Sequence, residues 1–170
     1  MGIRQVGVSI AFWVLGFGVF MTSGSIAAPG NDIAPEQIEG KTFRLERAYL
    51  VVVHAPIADA AKVLKTVASA VGLDYGKYDQ VAYIDAVGIE QFRPIEGSKA
   101  GAQKQVSRQA TKVVRFSVPH DGAILQKALE AVYTAHSYEE PVIYVSEVWR
   151  TRSTNPDERN PNRWWNQKTK

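Results

Sequence analysis

The sequence has no cysteine among its 170 residues. This excludes disulfides, thiolate zinc sites, iron–sulfur clusters and cysteine nucleophiles together. It also lacks a dominant sign of charge, because a formal net charge of +3 is too small to hold nucleic acid by itself. No glycine-rich phosphate loop comes after a strand: Gly88, Gly97 and Gly101 carry no nucleotide fingerprint around them. Ser107, Ser117 and Ser137 have no neighbouring histidine–acid arrangement that would activate a nucleophile. These absences point away from an enzyme. Long apolar runs are scarce as well, and the one at residues 6–21 is shorter than the ~20 residues a spanning helix prefers.

That run belongs to another pattern. MGIRQ supplies one arginine, VGVSIAFWVLGFGVFM is uncharged and apolar, and TSGSIAAPG supplies small residues, the order found in secretory signal peptides. Ser25 and Ala27 occupy the positions a signal peptidase reads, so residues 1–27 are expected to be removed. The mature chain is then periplasmic or secreted, and the missing cysteine suits an oxidising compartment. A membrane enters only if this segment stays uncleaved as an anchor. Residues 28–43 mix Pro, Gly, Asn and Asp without periodicity and read as a linker.

The composition is globular, with 45% hydrophobic and 22% charged residues over the whole chain, and periodic segments begin at Arg44. RAYLVVVHAP is a β-branched run stopped by proline, a strand. In IADAAKVLKTVASAVG, Ala60, Val63, Leu64, Val67 and Val71 share one helical face, and Gly72 ends it. YDQVAYIDAVG predicts a second strand and TKVVRFSVP a third, with Val114, Phe116 and Val118 on one face. DGAILQKALEAVYTAH opens on an N-cap aspartate, Asp121, and buries Ile124, Leu125, Ala128, Leu129 and Val132. PVIYVSEVW predicts a fourth strand. Residues 151–170 are polar, contain two prolines and have no period, the composition of a disordered tail.

Residues 44–150 thus read as one α+β domain of ferredoxin-like order, βαββαβ. Its right-handed crossovers place two helices on one face of a four-stranded antiparallel sheet. The other face is left bare, yet LVVV in the first strand (Leu50 to Val53) is apolar on both sides. Self-association through the sheet is the simplest cover.

The stretch TAHSYEEPVIYV holds the residue types that carry chemistry. Strand directions bring the ends of the first strand and second helix to one rim, beneath the long loop between strands two and three. His54, Arg93, Glu96, His136, Tyr138, Glu139 and Glu140 are expected to meet there. In one reading His54, His136 and Glu139 hold a divalent metal. In the other, Arg93, Glu96, Tyr138, Glu139 and Glu140 form a rim that anchors the loop or takes a small ligand, with Glu139 or Glu140 paired to Arg93. No cofactor is expected in this second reading, and the alternative is the divalent metal.

GKYDQVAYIDAVGIEQFRPIEG followed by AHSYEEP resembles the domain inserted in YqfO-type (Nif-three-like) proteins. There a G-x-Y-D segment leads to F-R-P-x-E-G and later to H-P-Y-E-E-P. The matching positions are Gly76, Tyr78, Asp79, Phe92, Arg93, Pro94, Glu96, Gly97, His136, Tyr138, Glu139, Glu140 and Pro141. Ser137 departs from the family's proline, and SKAGAQKQVSR lacks its Asn-Pro-Phe-Ile-Gly stretch. The resemblance implies a CutA/PII-like fold that assembles as a homotrimer. It also implies a stand-alone module for assembly or small-ligand sensing, since the flanking halves that hold the family's two-metal site are absent.

Overall fold

The computed structural model describes residues 34–154 and 159–167. The expected signal peptide, the first part of the linker and residues 155–158 and 168–170 of the tail lie outside the described residues. The elements run β1 (Phe43–Pro56), α1 (Ile57–Val71), β2 (Ala82–Ile84), β3 (Gly88–Phe92), β4 (Ser107–Pro119), α2 (Gly122–Ala135) and β5 (Ile143–Ser153). The sheet is antiparallel, with β1 between β4 and β5, and with β2 and β3 in tandem along the outer edge of β4. This is the α+β ferredoxin-like order expected, except that the edge column is two strands and the sheet therefore has five.

Both helices stop and start where their chemistry dictates. α1 buries Ala60, Val63, Val67 and Ala68, and Gly72 closes it at φ 77° with its N–H on the Ala68 carbonyl, a conformation that favours glycine. Asp121 caps α2, its Oδ1 accepting from the N–H groups of Ala123 and Ile124 at 2.8 and 3.1 Å. α2 buries Ala128, Ala131, Val132 and Ala135. These side chains pack in one cluster with Val51, Val53 and Ala55 of β1 and Val114, Phe116 and Val118 of β4. The alternation along β1 is thereby settled: Val51 and Val53 face the helices, while Leu50, Val52 and His54 face the other way and are half-buried. On that open face Tyr83, Arg115, Val52 and Tyr144 form one cross-strand row. The two tyrosines at its ends are 64% and 58% exposed.

The split in the edge column is a β-bulge. Ile84 pairs with Val114 and Gly88 with Thr111, so Asp85, Ala86 and Val87 face only Lys112 and Val113. The Asp85 N–H still reaches the Val113 carbonyl at 2.9 Å, and its carboxylate pairs with Arg115 at 2.7 Å. One extra residue reverses the facing of everything after it. Glu90 and Phe92 are thereby turned onto the open face, beside His54.

At the opposite rim Glu46 Oε1 accepts from Arg150 Nε at 2.7 Å and Arg152 Nε at 2.6 Å. Arg150 then crosses β1 to the Ser117 hydroxyl at 2.9 Å, over Ala48, which has no exposure. Tyr75 lies under both guanidinium groups, 5.5 and 4.9 Å from the ring centre. Burial pushes the Glu46 carboxyl up, but the hydrogen bonds and charges of Arg150 and Arg152 together outweigh it and hold it below its ordinary range. These contacts carry β5 past Arg150 to Ser153, so the strand runs into the segment read as tail. Trp164–Asn166 there forms one turn of 3-10 helix. Among the described residues no helix is long and apolar enough to cross a membrane.

Candidate functional site

The end of β1, the end of α2 and the loop of residues 93–106 do meet at one rim. The chain from His136 to Glu139 fastens a different element with each successive residue. His136 ends α2 with its N–H on the Val132 carbonyl at 2.9 Å. Its Nε2 donates to the His54 carbonyl at 2.8 Å, and its Nδ1 accepts from the Tyr138 N–H at 3.0 Å. That geometry fixes the tautomer with the proton on Nε2. Ser137 donates both its N–H and its hydroxyl to Asp59 Oδ2 in the first turn of α1. Chiefly the Ser137 hydroxyl, against a smaller effect of burial, holds the Asp59 carboxyl below its ordinary range. Tyr138 packs edge-on against Phe92 of β3, ring centres 5.5 Å apart. Glu139 Oε2 accepts the Lys99 N–H at 3.0 Å.

Two expectations need correcting. Glu139 does hold the loop, but through the Lys99 backbone; Arg93 has no ion pair or hydrogen bond among the described residues. A backbone N–H already set by the loop's turn offers the carboxylate a donor without the entropy cost of fixing a long arginine side chain. His54, His136 and Glu139 do not come together as metal ligands, and no group of three or more His, Asp or Glu among the described residues does. Both His136 nitrogens and the Glu139 oxygen are already in hydrogen bonds, which a metal would have to break. His54 turns its ring to Glu90 instead. Glu96 is exposed on the loop and takes no part in the cleft. Glu140 is exposed at the cleft wall.

Between the loop and the α2–β5 connection lies a cleft of about 900 Å³. Arg93, Lys99, Tyr138, Glu139 and Glu140 line it, with Phe92 and Glu90. Glu90 is the residue that sequence reasoning missed. Its side chain is 10% exposed, and Oε1 lies 3.5 Å from His54 Nδ1. Oε2 is closed off from water and has no hydrogen-bond partner, as is the Tyr138 hydroxyl. Burial, then the negative charges of Glu90 and Asp59, push the Tyr138 phenol up. IEQF gave no sign of this, because the bulge just upstream decides which side Glu90 faces.

No family model matches the chain, and no curated protein matches it. Among solved structures, a protein related to NIF3 from Bacillus cereus matches over 61% of this chain, at 27% identity and a TM-score of 0.52. The chain is built like part of a NIF3-related protein. It spans 26% of that protein's length. The periplasmic divalent cation tolerance protein CutA from Archaeoglobus fulgidus matches over 59% of this chain and 83% of its own, at 15% identity and a TM-score of 0.43. CutA1 from Oryza sativa matches over 61% of this chain and 81% of its own, at 16% identity and a TM-score of 0.43. The CutA/PII-like fold read from the motifs stands on the strand order and on the NIF3-related match.

Proposed function

We propose that this chain is a non-catalytic, homo-oligomeric CutA-like module of the cell envelope, assembled as a trimer through its open sheet face, with the rim cleft as a small-ligand site. One observation carries the reading. Both helices pack on one side of the sheet, while Leu50, Val52, Val113 and Tyr144 stand on the other with no element of the described chain over them. Apolar side chains at the middle of a sheet favour a cover, and a second copy supplies one of matching shape. The signal-peptide pattern of residues 1–27 supports an envelope location. Arg93, with no partner of its own among the described residues, together with Tyr138 and Glu140, suits the cleft to a ligand rather than to loop anchoring alone.

The runner-up, a divalent-metal-binding protein using His54, His136 and Glu139, is disfavoured by the hydrogen bonds that His136 and Glu139 already make and by the His54 ring facing Glu90. Light scattering of the purified chain at micromolar concentration, with metal analysis of the same sample, separates the two. The proposal expects an oligomer without stoichiometric metal. A monomer, or an oligomer carrying one tightly held divalent ion per chain, contradicts it.

A further inference from the structure

The floor of the cleft combines an electrostatic demand with a shape. Glu90 is nine-tenths buried, yet one of its two oxygens accepts nothing. A carboxylate can only accept, so whatever satisfies Oε2 must donate. The hydroxyl of Tyr138, which lines the same cleft, is equally without a partner and can also accept. The rings of Phe92 and Tyr138 meet edge-to-face at 5.5 Å and give this floor aromatic walls, which attract an organic cation through their π faces. A bare metal ion is a poor match, because no third His, Asp or Glu joins His54 and Glu90 among the described residues. Further out, Arg93 and Lys99 line the cleft along with the exposed carboxylates of Glu139 and Glu140. Arg93 is exposed, lines the cleft and pairs with nothing among the described residues.

From this juxtaposition we propose that the cleft binds a small zwitterion, its ammonium on Glu90 and Tyr138 and its carboxylate on Arg93. This rests on reading the cleft as a ligand site and names the class of that ligand. The two floor atoms are shut off from water, so entry requires the loop of residues 93–106 to lift. That loop is held to the α2–β5 connection by the Lys99 N–H on Glu139. Its turn passes through Gly97 at φ 91°, a backbone position where glycine moves freely. An ammonium that fills the empty position at Oε2 removes the penalty of a buried unpaired acceptor, and the carboxylate on Arg93 gains a charge-assisted pair.

The test is isothermal titration of the full chain with an ω-amino acid series from glycine to 6-aminohexanoate. Butylamine and butanoate serve as controls lacking one charge each. At least one chain length should bind more tightly than both controls. Glu90→Gln, which keeps the side chain's shape, should weaken it about tenfold or more, and Arg93→Ala should weaken the amino acid but not butylamine. Light scattering and circular dichroism on each variant read assembly and fold separately, so a failed trimer and a failed ligand are distinguishable. If butanoate binds as well as the amino acids and Glu90→Gln has no effect, the cleft remains a ligand site but the zwitterion is overturned. Absence of binding across the whole series at millimolar concentration also overturns it.

Discussion

His136 is 8% exposed, and both of its ring nitrogens tie the end of α2 to its surroundings. Replacing it with alanine removes two part-buried hydrogen bonds, and a loss of about 2–3 kcal/mol is expected in urea unfolding. Arg93→Ala removes no hydrogen bond or ion pair to a described residue and should change stability by less than about 0.5 kcal/mol. Zinc should raise the melting temperature of neither the wild type nor Arg93→Ala. A zinc-induced rise that His136→Ala abolishes would restore the metal reading. Ser137 stands where the resembling family has proline, which could offer Asp59 neither a hydroxyl nor an N–H. Ser137→Ala should therefore cost about 0.5–1 kcal/mol at neutral pH. Because the folded Asp59 carboxyl lies below its unfolded value, this contribution is present above the unfolded carboxylate range and is lost as pH falls through the folded value. The difference between Ser137→Ala and wild type should shrink accordingly in acid, as urea melts across pH will read. The motif's position was legible in the sequence, but its partners were not. Histidine before a tyrosine and two glutamates looks the same whether it ligates or braces.

At the scale of elements, both helices could be read from period and caps, since Asp121 and Gly72 are chemical signals as well as structural ones. The edge column could not. YDQVAYIDAVG has an unbroken strand composition, and the extra residue among Asp85, Ala86 and Val87 leaves no proline or glycine at the bulge itself. Deleting Ala86 should realign the register, turn Glu90 away from His54 and cost about 1–3 kcal/mol. An unchanged urea midpoint would mean that the bulge holds nothing in place. One end of the β1–β5 ladder is braced by a single carboxylate. Glu46 is 29% exposed and serves two arginines, of which Arg150 is 6% exposed. Glu46→Gln should lower stability by about 3 kcal/mol, because Arg150 keeps a buried charge without its counter-ion. The sign with pH is again that of a depressed carboxyl: the pair stabilises above the unfolded value, and the contribution fades as pH drops through the folded one.

For the whole molecule, the order of elements was legible because each changes period at a proline, glycine or aspartate, and ferredoxin-like order leaves few ways to connect them. Which side of LVVV faces the helices was not legible, because four apolar residues in succession carry no alternation. The packing supplies it: Val51 and Val53 have no exposure, while Val52 sits between Arg115 and Tyr144 on the open face. Aspartate at Val51 therefore buries an unpaired charge in the core and should abolish cooperative unfolding. Aspartate at Val52 meets the proposed interface instead and should leave the protomer folded. The most direct measurement is the light-scattering mass of wild type and Val52→Asp at equal micromolar concentration, with circular dichroism on both. The expected result is a wild type of about three chains and a folded Val52→Asp of one. A wild type that is already monomeric, or a Val52→Asp that keeps the wild-type mass, would contradict assembly through the open sheet face.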